Sequence, residues 1–165
     1  MKSLLVLLSY HHNNTQKITN VFAKILDAQI RAPQQIDPEE LQEYGLIGFG
    51  SGIYDGKHHK ALLDLAEKLP QVTNRLAFIF STSGVTEDSE VAKAHSPLRE
   101  KLQSKGYVIV DEFNCAGFNT NSFLQLLGGM NKGRPNAEDL KHAEEFAQNL
   151  KRAPRAADSY VERGH

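Results

Sequence analysis

The chain has 165 residues, 40% of them apolar, and 19 Lys plus Arg against 20 Asp plus Glu, for a net charge of −1. That suits one globular domain and excludes disorder along the whole chain. It also argues against a general nucleic-acid binder, which needs a basic surface, and against a membrane span, which needs about 20 consecutive apolar residues.

The first predicted element is the run Leu4 to Leu8, apolar without alternation, as expected of a strand buried on both faces of a parallel sheet. With Lys2 before it the run has the outline of a signal peptide. It is only five residues long and no small-residue cleavage site follows, so the expected compartment is the cytoplasm. Ile18, Val21, Phe22, Ile25 and Leu26 then fall at helical spacing, with Asn13 or Asn14 available as the N-cap. Gln29 to Arg31 reads as a short edge strand. Asp37-Pro38-Glu39-Glu40 supplies a cap, a first-turn proline and two first-turn acids, which opens a short helix.

Leu46 to Phe49 is the third strand. Leu62, Ala66 and Leu69 form a helical stripe ended by Pro70, and Leu76 to Phe80 is the fourth strand. Ser96-Pro97 predicts the start of another helix, with Leu98 and Leu102 inward and Gly106 at its end, which leaves His95 on the surface before it. Tyr107 to Val110 is the fifth strand. Cys115, just beyond it, reads as a small packed residue; as the single cysteine it excludes an internal disulfide and any multi-cysteine metal site. Asn136 to Asp139 resembles a capping box and opens the last helix, which turns Leu140, Ala143, Phe146 and Leu150 to one side. Residues 1–152 form the expected domain, and residues 153–165 a polar tail.

This alternation predicts a three-layer α/β sandwich, doubly wound around a five-stranded parallel sheet of order 2-1-3-4-5. Ligands in such sheets bind beyond the carboxyl ends of the strands, where the strand order reverses. Three segments fall there. After the first strand comes Ser9-Tyr10-His11-His12-Asn13-Asn14-Thr15, rich in donors and leading into a helix, a setting for phosphate. It is neither a Walker loop nor Gly-x-Gly-x-x-Gly. After the third comes Gly50-Ser51-Gly52-Ile53-Tyr54-Asp55-Gly56, whose glycines would let backbone approach a ligand. After the fourth comes Ser81-Thr82-Ser83-Gly84-Val85-Thr86, small and polar.

Ser9 with Asn14-Thr15-Gln16-Lys17-Ile18, Gly50 to Tyr54, Ser81 to Gly84, and the stretch from Gly117 to Asn136 resemble the flavodoxin family, from residue 3 to about 150. The resemblance implies a flavodoxin-like fold and non-covalent FMN. Ser9, His11, Asn13, Asn14 and Thr15 would hold the phosphate. Ser51, Gly52, Ile53, Tyr54 and Asp55 would line one side of the isoalloxazine, and Thr82, Ser83, Gly84 and Val85 the other. The implied function is electron transfer between a reductase and an acceptor protein, with no side chain acting as acid or base.

Flavodoxins are commonly acidic, carry a glycine in the phosphate loop and stack a Trp on the ring; this chain is near neutral, has no glycine there and has no Trp. Two alternatives therefore stay open: an FMN-dependent NAD(P)H:quinone-type oxidoreductase, and a flavin-free binding or regulatory module. Lys132 and Arg134 would suit an anionic donor, or a solvated turn. Phe118, Phe123, Leu124, Leu126 and Leu127 suit loop packing, a lid over the ring's edge or a partner surface. Monomer and homodimer are both compatible. His11-His12 and His58-His59 put four imidazoles at neighbouring strand ends. Without a carboxylate or cysteine at ligand spacing they read as exposed loop residues, and no metal is expected.

Overall fold

The computed structural model describes residues 2–8, 14–83, 87–116 and 137–163, with residues 14, 116 and 153–163 by backbone alone. Among these residues the elements run β1 (Ser3–Leu8), α1 (Asn14–Leu26), β2 (Gln29–Arg31), β3 (Leu46–Tyr54), β4 (Lys57–His58), α2 (Lys60–Lys68), β5 (Arg75–Ser83), α3 (Asp88–Ser104), β6 (Tyr107–Ala116) and α4 (Ala137–Arg163). Two 3-10 helices, Pro33–Gln35 and Pro38–Glu43, link β2 to β3; the Asp37 side chain caps the second by accepting the Glu39 N–H, as the sequence led one to expect.

The sheet order is β2-β1-β3-β5-β6, and each of these neighbours pairs in parallel. This is the doubly wound order expected, with one addition. β4 folds back antiparallel on the end of β3, pairing Ile53 with His58. The turn between them is Asp55-Gly56, both at positive φ (52° and 77°), the backbone a two-residue hairpin requires.

Two apolar layers sandwich the sheet. Val6, Phe49 and Ile79 meet Leu62, Ala66 and Leu98 of α2 and α3. On the other face Leu5, Phe78 and Phe80 meet Ile18 and Phe22 of α1 and Ala143, Ala147 and Leu150 of α4. Phe22 sits edge-on to both Phe78 and Phe80. Cys115 is buried in this second layer, the packed residue expected, though within β6 rather than after it. The helical backbone of α4 continues through the polar stretch to Arg163. No helix among the described residues is long and apolar enough to cross a membrane.

Three strands outrun their apolar stretches. β3, β5 and β6 continue through Gly50-Ser51-Gly52, Ser81-Thr82-Ser83 and Glu112 to Ala116, because the ladders carry on: Ser51 pairs with Ser81, and Ser81 with Asn114. Segments expected as loops are thus sheet. A Cβ at Gly50 would lie 2.0 Å from the Phe80 ring, and one at Gly48 2.3 Å from that of Phe78. Gly50 makes room for a neighbouring ring, not for a ligand. Gly50→Ala is expected to lower stability by about 2 kcal/mol through overpacking. Urea unfolding would show this as a lower midpoint at constant slope; an unmoved midpoint would mean that Phe80 has space to yield.

α3 corrects a second expectation. It starts at Asp88, and Pro97 lies inside it. Proline favours a first turn, but the acids Asp88 and Glu90 already supply one, and Ala94 and His95 extend the inward stripe of Leu98 and Leu102. The hydrogen bond that Pro97 forgoes is outweighed by burial of that stripe.

β6 contains one irregularity with consequences. Ala77 pairs with Ile109, but Phe78 pairs with Asp111, so one extra residue is inserted. Side chains alternate along a strand, so a one-residue slip exchanges faces. Tyr107 and Ile109 point to the α2/α3 side; beyond the bulge that side receives Glu112 and Asn114, while Phe113 and Cys115 turn to α1 and α4.

Candidate functional site

Strand order reverses around β1, which lies between β2 and β3 while its chain leads into α1. The crevice beyond β1, β3 and β5 is where such a sheet takes a ligand. Of the residues expected there, Ser9, His11, Asn13, Gly84 and Val85 lie outside the described residues. Asn14 is the first residue of α1, and Thr15 the second.

Thr15 and Thr82 are both buried, and their hydroxyl oxygens lie 2.7 Å apart. The contact ties the first turn of α1 to the end of β5, so two of the three segments meet. One hydroxyl donates to the other, which leaves one hydroxyl hydrogen for a third group. A helix start beside it adds partial positive charge.

The β3 segment meets the crevice differently. Gly52, Ile53 and Tyr54 are half-buried at the strand end, and Asp55 is exposed in the turn. The Tyr54 ring lies edge-on to His59 at 5.3 Å. Ser51 is fully buried, and its hydroxyl serves the protein itself. It donates to the Gly52 carbonyl at 2.6 Å, contacts His58 Nδ1 at 2.9 Å and accepts the His59 backbone N–H at 3.2 Å. His58 and His59 are therefore not exposed loop residues. His58 is buried in β4, and His59 caps α2 through Nδ1, which accepts the Ala61 N–H. Among the described residues no group of three or more His, Cys, Asp or Glu is placed to hold a metal ion.

Next to Ser51 a second buried constellation supports β5. His95, expected on the surface, is fully buried. Its Nε2 lies 2.6 Å from Ser81 Oγ and its Nδ1 2.8 Å from Glu112 Oε1. Arg99 grips Glu112 with two N–H donors, each at 2.7 Å. Ser81 and Ser83 donate to Asn114 Oδ1. Burial alone would raise the Glu112 carboxyl, but the hydrogen bonds from His95 and Arg99 and their charges hold it down, to about 2. The same contact pushes the Arg99 guanidinium up. The His58 and His95 rings lie 5.0 Å apart, and burial, reinforced by His95, drives His58 down to about 3.

These distances match a serine–histidine–carboxylate relay, but the setting does not. Ser81 is buried in mid-ladder between Ser51 of β3 and Asn114 of β6, and its hydroxyl already has partners on both sides. The neighbouring cavity, lined by Ile53, Ser81, Ser83, Val91, Ala94 and Asn114, has a volume of only 160 Å³, below that of ordinary ligand sites. The constellation holds the strand ends in place. Sequence reasoning placed His58 and His95 at the surface and missed Arg99, Glu112 and Asn114. For His95 a signal existed, since His95, Leu98 and Leu102 share one helical stripe.

The family model described as "Flavodoxin domain" matches residues 5–118. An uncharacterized protein of Methanocaldococcus jannaschii is 45% identical over 150 residues, covering 91% of this chain and 98% of that protein. Among solved structures, oxidised Flavodoxin 2 from Bacillus cereus superposes with a TM-score of 0.69 at 18% identity, covering 93% of this chain and 99% of the other. Oxidised Flavodoxin 1 from the same organism gives 0.67 at 15% identity, covering 92% and 98%.

Proposed function

The chain belongs to the flavodoxin domain family, and on that premise we propose that its switch-point crevice binds FMN non-covalently and passes electrons singly between a reductase and an acceptor protein. The observation that carries this reading is the Thr15–Thr82 contact, which joins the start of α1 to the end of β5 with one hydroxyl hydrogen to spare. The donor set suits a phosphomonoester. Ser9, His11, Asn13, Asn14 and Thr15 precede or open a helix, where backbone N–H groups and the helix dipole favour an anion.

In this reading Ser51, Gly52, Ile53, Tyr54 and Asp55 flank one side of the flavin, and Thr82, Ser83, Gly84 and Val85 the other. Ile53 and Tyr54 offer apolar and aromatic surface at a strand end. Bound FMN supplies the electron chemistry; the protein orients it and tunes its potential. Ser51 and Ser81, fixed from below by His58 and His95, keep the ends of β3 and β5 in register while the flavin charge changes.

The test is an FMN titration followed in the visible spectrum. One equivalent should bind with the flavin bands perturbed, and Asn14→Ala with Thr15→Ala should weaken binding at least about tenfold, since each lost donor to an anion is worth more than an ordinary hydrogen bond. Unchanged affinity in a folded double variant would overturn the phosphate assignment. Turnover of NADPH and a benzoquinone without a reductase would replace electron carriage by the oxidoreductase reading.

A further inference from the structure

Beneath the end of β3 one buried polar atom has no partner. His58 is 1% exposed, and its Nε2 makes no hydrogen bond among the described residues. The opposite ring nitrogen, Nδ1, lies against Ser51 Oγ, which also touches the Gly52 carbonyl. A serine hydroxyl has one hydrogen to give. It goes to Gly52 or to His58, and the tautomer of His58 decides which.

With the hydrogen on Nδ1, His58 donates to Ser51, Ser51 donates to Gly52, and the His59 N–H is accepted as well. Only a bare Nε2 lone pair is left over. With the hydrogen on Nε2, a buried N–H is stranded and the Gly52 carbonyl loses its donor. A buried N–H without a partner is the rarer and costlier defect. The first tautomer therefore prevails, and burial against the His95 ring disfavours the doubly protonated form.

We propose that His58 is a positioning residue: held with its hydrogen on Nδ1, it commits the Ser51 hydroxyl to the Gly52 carbonyl and so fixes the orientation and partial charge of that peptide. The proposal rests on the FMN reading, because Gly52 belongs to the segment assigned there. A carbonyl that keeps its donor shows less negative charge to its surroundings than one that has lost it. Reduction brings negative charge to the site, so a bare carbonyl nearby disfavours it.

Two measurements test this. The first needs neither flavin nor variant: nitrogen-15 NMR of the flavin-free protein at neutral pH should show His58 protonated at Nδ1 and bare at Nε2, and the reverse tautomer would overturn the proposal. The second is the midpoint potential of the FMN-loaded protein. Ser51→Ala should make reduction about fivefold less favourable, the worth of one ordinary hydrogen bond. His58→Gln, whose amide stands where Nε2 stood, should do the same. His58→Asn keeps an amide near the Nδ1 position and should stay within about twofold of the unsubstituted protein. An unshifted Ser51→Ala, or equal shifts in the two His58 variants, would refute the role of His58 alone. A chain that takes up no FMN would remove the flavin reading and this one together.

Discussion

A His95→Ala variant is expected to lose about 4 kcal/mol of unfolding free energy, within the range for breaking a buried, hydrogen-bonded pair and leaving a cavity. The ring is fully buried, and it bridges Ser81 on β5 to Glu112 on β6. Its removal takes one donor from a carboxylate and one partner from the buried Ser81 hydroxyl, and water has no ready route to that hydroxyl. Arg99→Ala is expected to cost only about 1 kcal/mol, because the Arg99 and Glu112 side chains each keep 26% of their surface exposed and solvent can take over. Urea unfolding at pH 7 measures both. A loss under about 1 kcal/mol for His95→Ala would place the constellation among ordinary surface pairs and deny it the role of holding β5 to β6.

The contrast between these two side chains marks how far the sequence could be read. The order of the sheet was legible because Leu4 to Leu8, Leu46 to Phe49 and Leu76 to Phe80 are continuous apolar runs separated by helical stripes, and that pattern admits few topologies. The strand ends were not. Ser51, Ser81 and Asn114 look like loop residues until the ladder is seen to continue through them. Nor could any pattern along β6 reveal the extra residue before Asp111, which alone brings Glu112 to the same side as His95. The switch-point segments were found, and Thr15 and Thr82 do meet. Ser51 lay in the right segment, but its hydroxyl turns to His58, a contact that depends on the β4 hairpin. Local residue types announce donors; only the fold decides which of them the protein uses itself.

The same hairpin makes stability depend on pH, and a loss of about 3 kcal/mol is expected on going from pH 7 to pH 4.5. His58 is held neutral in the folded protein, at about 3 against an ordinary 6.5, because burial and the neighbouring His95 oppose its charge. As the pH falls below 6.5 the unfolded chain takes up a proton at this position and the folded one does not, so the equilibrium moves toward unfolding until about pH 3. Glu112 acts in the same direction over a lower range. Its folded value of about 2 lies below the ordinary 4.5, so the stability it contributes is complete above pH 4.5 and is lost as the pH falls from there toward 2. The two windows separate the two groups. His58→Asn should flatten the curve of urea midpoint against pH between 7 and 4.5 and leave the steeper fall below that. Glu112→Gln should lower stability throughout, retain the upper slope and lose much of the lower one. If the His58→Asn curve ran parallel to the unsubstituted one down to pH 4.5, His58 would have to be charged or solvated in the folded state. Doubly protonated, His58 would still donate from Nδ1 to Ser51 and leave that hydroxyl on the Gly52 carbonyl, so its second proton would show only at Nε2.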